Sequence, residues 1–211
     1  MKRIIIADDH SFVRLGLIQI LKDEYPSAEI KEAEDGEVLV KEVMKQHWDL
    51  VISDLDMPGR SGLEALEQIK LIQPNLPVII LSIYSEDLYA VRALKAGAAG
   101  YLNKNAAPYE LIKAIERIRL GKKYITPEIA EKLLEQQDEG KAHERLSNRE
   151  LEIFKMLAMG KTITQISETL SLALTTISTH RSHILEKMGL SSNAELTRYA
   201  IAHQIIPDMK I

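Results

Sequence analysis

The chain is predicted to be an α/β protein. A doubly wound, five-stranded parallel (βα)5 sheet of the flavodoxin type comes first, followed by a small all-α domain of four helices built on a helix-turn-helix. Three observations predict this. Short apolar, β-branched runs recur through the first 120 residues without polar alternation, as strands covered on both faces require. Amphipathic stretches of helical period separate them, so successive strands run parallel through right-handed crossovers. Past about residue 143 the strand signal stops and capping boxes mark one helix start after another.

The clearest strands are Arg3 to Ala7, Leu50 to Ser53 and Val78 to Ser82, with weaker ones at Glu29 to Ala33 and Gly100 to Leu102. The helices between them run from Phe12 to Glu24, Gly36 to Gln46 with Asp35 as cap, Leu63 to Ile72, Asp87 to Ala96, and Pro108 to Leu120 with proline in the first turn. Thr126-Pro127 caps a further helix reaching about Gln137. Asp138 to His143 is polar, aperiodic and contains glycine, the composition of a flexible tether. The predicted organisation is therefore a first domain at 1–120, a linker with one helix at 121–143, and a second domain at 144–211.

In the second domain Ser147-Asn148-Arg149-Glu150, Thr162-Ile163-Thr164-Gln165 and Ser192-Asn193-Ala194-Glu195 each set a hydroxyl three residues before Glu or Gln. Leu151, Phe154, Leu157 and Ala158 form the apolar stripe of one helix, and Ile163, Ile166 and Leu170 that of the next. A third, from about Thr175 to Met188, buries Ile177, Ile184 and Met188 and turns Thr175, Ser178, Thr179, Ser182 and Glu186 outward. Two short helices joined by a tight turn, the second with a polar outer face, are the parts of a helix-turn-helix. The last helix, Asn193 to about Ile206, carries apolar residues on two faces.

Composition sets outer limits. There is no cysteine, which excludes disulfides and thiolate metal sites, and no apolar run long enough to span a bilayer. The apolar run after Met1-Lys2-Arg3 ends at Asp8-Asp9, too short for a secretory signal. A soluble, cytoplasmic protein with no membrane partner is expected. The segment 144–211 has 8 Lys and Arg against 7 Asp and Glu, so charge alone does not announce nucleic acid.

Chemistry concentrates at the strand ends. Asp8 and Asp9 follow the first strand, Asp54 the third, Ser82 the fourth and Lys104 the fifth, the edge at which such sheets bind ligands. Like charges crowded there repel unless a cation lies among them, and oxygen donors suit Mg2+. A carboxylate nucleophile, a metal to neutralise oxygen charge and a lysine to pair with another oxygen together suit acceptance of a phosphoryl group at Asp54, with Ser82 hydrogen-bonding the product.

These residues, with Asp54-Leu55-Asp56-Met57-Pro58-Gly59 and Gly97-Ala98-Ala99-Gly100-Tyr101-Leu102, make residues 1 to about 120 resemble a response-regulator receiver domain. The resemblance implies phosphorylation of Asp54 by a sensor histidine kinase. It also implies Mg2+ held by Asp9, Asp54 and the main-chain carbonyl of Asp56 with Asp8 in support, and a switch pair of Ser82 and Tyr101. Asn105 departs from the family, which often has proline there. Leu146 to Glu150, Leu157 to Thr162 and Thr176 to Leu190 resemble a LuxR-type DNA-binding domain, which makes the whole chain similar to NarL/FixJ-type regulators. That likeness implies double-stranded DNA as partner, a homodimer on activation, contact through Ser178, Thr179, Ser182 and His183, and Thr175, Thr176, Arg181 and Lys187 near phosphates. Two further departures are Ala173, where a capping serine is usual, and Ser178, where lysine is common.

Two other functions are open to the same residues. Asp54-Leu55-Asp56 is similar to the Asp-x-Asp of haloacid-dehalogenase-type phosphatases, although their motif lies on the first strand with the acidic pair downstream. The helical domain of a phospho-switch could instead grip protein. Self-phosphorylation and self-dephosphorylation at Asp54 are expected, and turnover of an external substrate is not.

Overall fold

The computed structural model describes residues 2–83, 86–135 and 141–206. The chain divides into two compact units, Met1–Glu135 and Gln136–Ile211.

The first unit holds β1 (Arg3–Ala7), β2 (Glu29–Ala33), β3 (Leu50–Asp54), β4 (Val78–Ser82) and β5 (Gly100–Asn103), all parallel, in the order β2-β1-β3-β4-β5. Ile4, Ile6, Leu50, Ile52, Ile79 and Leu81 bury one face of the sheet with residues of α1 (Ser11–Glu24) and α5 (Ala107–Arg119). Side chains alternate along a strand, so the equally buried Ile5, Val51 and Ile80 project from the other face. That side carries α2 (Gly36–Lys45), α3 (Gly62–Ile72) and α4 (Glu86–Lys95). Each fully buried Ile or Leu contributes roughly 1.5–3 kcal/mol. The order reverses direction between β1 and β3, and the carboxyl ends of these central strands open the crevice where such sheets take ligands.

Local chemistry fixes where the helices begin. Asp35 accepts from the Val38 amide to start α2, and Ser61 with Glu64 closes a complete capping box on α3. The expected strands extend one residue further in two places, through Asp54 and Asn103. The segment after α5 docks on the first unit: the Tyr124 amide donates to the Ala99 carbonyl, and α6 (Pro127–Glu135), capped by Thr126, packs against α4 with Ile129 fully buried. Of the expected tether, residues 138–140 lie outside the described residues. Its last two residues, Ala142 and His143, belong to a 3-10 turn, Ala142–Arg145.

The second unit contains α7 (Asn148–Ala158), α8 (Ile163–Leu170), α9 (Leu174–Met188) and α10 (Asn193–Ala202). Leu151, Phe154, Leu157, Ile166, Leu170, Ile177, Ile184 and Leu196 are all buried there. Ser147 and Thr162 close both arms of their capping boxes. Ser192 accepts from the Glu195 amide, while the Glu195 carboxylate turns to Ser191 instead. The last helix is shorter than expected. Gln204 adopts φ 55, the Ile205 amide bonds back to the Ala200 carbonyl, and the reversal folds Ile205 and Ile206 into the core. Among the described residues, no helix is long and apolar enough to cross a membrane.

Docking of α6 predicts that Ile129→Ala lowers the stability of the first unit by about 2–4 kcal/mol. Trp48, the chain's one tryptophan, lies buried in that unit, and its fluorescence reports unfolding there. An unmoved urea midpoint at Trp48 would show that the segment is only loosely attached.

Candidate functional site

The pocket is assembled around one ammonium group. Lys104, just past β5, brings Nζ to 2.8 Å from Asp8 Oδ2 and 2.8 Å from Asp54 Oδ2. The Lys104 amide donates to the Ser82 carbonyl at 2.8 Å, which pins the end of β5 to that of β4. Asn105, where the family often has proline, donates its N–H to Asn103 Oδ1 at 2.9 Å, a bond proline could not make. Asp8 is wholly buried and Asp54 is 3% exposed, whereas Asp9 reaches the surface. Ser82 and Tyr101 are both buried, at the end of β4 and within β5.

Position 62 has no room for a side chain. The Gly62 amide donates to the Leu55 carbonyl at 2.8 Å, and a Cβ there would overlap the main-chain carbonyl of Asp54. Helix α3 is thereby seated directly against the strand end that carries Asp54.

Burial is the largest influence on Asp54. It raises the pKa, the hydrogen bond from Lys104 opposes it, and the neighbouring Asp8 charge reinforces it; the carboxyl is pushed up to about 7. For Lys104, burial disfavours the charge, but the hydrogen bonds and charges of Asp54 and Asp8 outweigh it and hold the ammonium above its ordinary range.

Asp8, Asp9, His10 and Asp54 each offer a ligand atom, and these atoms all lie within 4.8 Å of one another. Asp8 Oδ2 is buried, and Lys104 Nζ lies 2.8 Å from it. Three carboxylates gathered here, with one lysine shared by two of them, leave a net negative charge on oxygen donors, which fits a hard divalent cation. His10 was not singled out from the sequence, although it directly follows the acidic pair. The Asp56 side chain is not among the four. The role the sequence suggested for Asp56 used its main-chain carbonyl.

In the second unit Ser171 takes the left-handed conformation, φ 53, between α8 and α9, and the Leu172 amide returns to the Ser167 carbonyl. Arg149 donates to Glu152 and to the Leu170 carbonyl, tying α7 to the end of α8. This fixes α9 with Thr175, Ser178, Thr179, Ser182, His183 and Lys187 exposed and with Thr176 and Arg181 half-buried. Two hydroxyls are satisfied within the helix, Thr179 on the Thr175 carbonyl and Ser182 on that of Ser178. Two of the expected phosphate neighbours have protein partners: Arg181 donates to Asn193 Oδ1, and Lys187 Nζ lies 2.7 Å from Glu150 Oε2. Burial works against the Glu150 charge, but Lys187 and Ser147 hold its carboxyl below the usual range. Ala173 heads α9 without a side-chain cap.

Residues 4–116 match the response regulator receiver domain family, and residues 144–200 the luxR family of bacterial regulatory proteins. Response regulator UvrY of Escherichia coli K12 is 36% identical over 207 residues, covering 96% of this chain and 95% of that one. Response regulator GacA of Pseudomonas aeruginosa is 33% identical over 210 residues, with 98% of each covered. Among solved structures, RcsB of Salmonella enterica serovar Typhimurium, bound to promoter P1flhDC in the presence of the phosphomimetic BeF3-, superposes with a TM-score of 0.67 at 27% identity, covering 95% of this chain and 98% of that one. An RcsB–DNA complex gives 0.58 at 28% identity, with 94% and 96% covered.

The raised Asp54 pKa has a defined sign. An acid that holds its proton more tightly folded than unfolded adds no cost below about pH 4, an increasing one as pH climbs toward 7, and a constant one above. In metal-free protein, Asp54→Asn is therefore expected to raise stability at about pH 8 by an amount on the order of 2–4 kcal/mol, with the gain vanishing near pH 4. Calorimetric melting across that range checks it; a variant that melts below the parent at the alkaline end would refute the assignment.

Proposed function

Because the chain belongs to the family of two-component response regulators that join a receiver domain to a LuxR-type DNA-binding domain, we propose that Asp54 is its phosphoacceptor and that phosphorylation there controls DNA binding. The observation that carries the assignment is the near-complete burial of Asp54 with its Oδ2 2.8 Å from Lys104 Nζ, beside Asp8 and Asp9. The donor is the phosphohistidine of a sensor kinase. An oxygen of Asp54 attacks phosphorus, the phosphorus–nitrogen bond breaks, and the imidazole leaves with its electron pair. Mg2+, held by Asp9, Asp54 and the main-chain carbonyl of Asp56 with Asp8 in support, would neutralise charge on the phosphoryl oxygens. Lys104 gives up part of its contact with Asp54 to pair with one of those oxygens, and Ser82 hydrogen-bonds another. Activation ends when water attacks the phosphorus, the bond to the Asp54 oxygen breaks, and inorganic phosphate leaves the free carboxylate behind.

The proposal takes residues 1–120 as receiver, 121–143 as connector and 144–211 as DNA-binding domain. Ser82 and Tyr101 form the switch, acting through β4 and β5. The docking of Tyr124 on Ala99 and of α6 on α4 supports coupling, since a movement of β5 or α4 is felt by the connector. RcsB has been solved bound to DNA and as two dimers on two parallel DNAs. By that likeness the phosphorylated chain pairs and sets α9 of each copy in the major groove, with Thr175, Thr176, Ser178, Thr179, Ser182 and His183 toward DNA. DNA as partner assigns the protein to the cytoplasm. Arg181 and Lys187 first have to leave Asn193 and Glu150 to reach phosphates, so their contribution is reduced.

Acetyl phosphate with Mg2+ is expected to label the protein with acid-stable, alkali-labile phosphate, and Asp54→Asn to abolish the label. Undiminished labelling of the variant would reassign the acceptor.

Binding of α9 to DNA has its own test. Ser178→Lys supplies a charge on the exposed face and should steepen the salt dependence of random-duplex binding by roughly 0.9 in log–log slope for one added phosphate contact. If neither form shows salt-dependent duplex binding in a shift assay, the helical domain has a protein partner instead.

A further inference from the structure

Beside α9, one arginine has its charge uncommitted. We propose that Arg145 is a DNA-phosphate contact supplied from outside α9, which with His183 grips the sugar-phosphate chain along one flank of the major groove; this rests on the reading of α9 as the helix that enters the groove. Arg145 is exposed at the end of the 3-10 turn, and that turn packs against α9. Arg145, His183, Glu186 and Lys187 line one open depression. Among the described residues, neither the Arg145 guanidinium nor the His183 ring makes a hydrogen bond or an ion pair. The two cations of α9 itself are committed elsewhere: Arg181 donates to Asn193 Oδ1, and Lys187 to both carboxylate oxygens of Glu150.

The position suits a backbone contact. At about 100° per residue, Ser178, Thr179 and Ser182 mark the outward face of α9, with His183 and Lys187 on one flank of it and Arg181 on the other. A helix laid in the major groove meets base edges with its outward face and the phosphates with its flanks. On the His183 flank the arginine of the turn therefore stands where a phosphate passes. Its platform is firm: the Leu146 amide donates to the His143 carbonyl, Leu146 is buried, and His143 is buried with Nδ1 3.1 Å from the Tyr199 hydroxyl. A guanidinium pairs with phosphate through two parallel N–H bonds, a geometry that an exposed arginine on a fixed turn can offer. The His183 ring adds an N–H donor from the helix side. Glu186 lowers the net charge of the same depression and so opposes an anion there. In a unit with almost no net charge, where this one free cation sits matters more than the total.

Fluorescence anisotropy of a labelled random-sequence duplex, titrated across a salt series with the full-length protein in beryllofluoride and Mg2+, tests this, with Arg145→Ala, Arg145→Lys, Arg198→Ala and Glu186→Gln alongside. Arg145→Ala is expected to flatten the log–log salt slope by about 0.9 for each protomer bound, the loss of one phosphate contact. Arg145→Lys keeps the charge and should keep most of the slope, Arg198→Ala on the exposed side of α10 should leave it unchanged, and Glu186→Gln should tighten binding. Three results would overturn the inference: an unchanged slope in Arg145→Ala; an equal flattening in Arg198→Ala, which would make the effect one of total charge; or a loss in Arg145→Lys as large as in Arg145→Ala, which would make the side chain a structural one. A parent protein without salt-dependent duplex binding would overturn the DNA reading as well, whereas an unchanged slope confined to Arg145→Ala leaves that reading standing.

Discussion

The functional half of this molecule depends on one lysine holding two buried acids. Asp8 directly follows β1 and Asp54 ends β3, neighbouring strands whose carboxyl ends lie side by side in the middle of the sheet. Bringing two ionised carboxylates together away from water is costly, and a single ammonium at 2.8 Å from each offsets part of that cost. It does not offset all of it, as the raised pKa of Asp54 records. The remaining negative charge is what a divalent cation and then a phosphoryl group can use. Lys104 can occupy this position because its own amide is bonded to the Ser82 carbonyl, so the fourth and fifth strands end together on the pocket.

Most of the architecture was readable in the chain because it follows from short-range rules. Apolar β-branched runs between amphipathic stretches specify parallel strands with both faces covered, and the observed strands start where those runs do. Capping signals located helix starts within a residue at Asp35, Thr126, Ser147 and Thr162. Ser61-Gly62-Leu63-Glu64 carries the same signal, and the structure closes both of its bonds. What escaped had long-range causes. His143 looked like part of a polar tether, yet it is buried, with Nδ1 3.1 Å from the hydroxyl of Tyr199, 56 residues away. Docking of α6 depends on a surface of α4 that local pattern cannot reveal. The reversal at Gln204 places an amide-bearing residue at a positive φ, which no local signal demanded.

The pocket was legible to a similar degree. Asp8, Asp9, Asp54 and Lys104 were recognisable because each falls at the carboxyl end of a strand, and the parallel topology forces those ends together. His10 was not, since a histidine two residues into a loop has no period that fixes its direction. In the DNA-binding domain the outward face of α9 was legible from periodicity. The partners of Arg181 and Lys187 were not, because Asn193 and Glu150 belong to other helices. Glu150 thus has two roles: it closes the capping box of α7 and anchors the far end of α9 through Lys187.

The close seating of Gly62 on the Asp54 carbonyl reaches beyond stability. A Cβ at 62 would meet the main-chain oxygen of residue 54, an atom that every amino acid brings to that position, so the demand for glycine at 62 comes from the path of the backbone and outlasts any change of the side chain at 54.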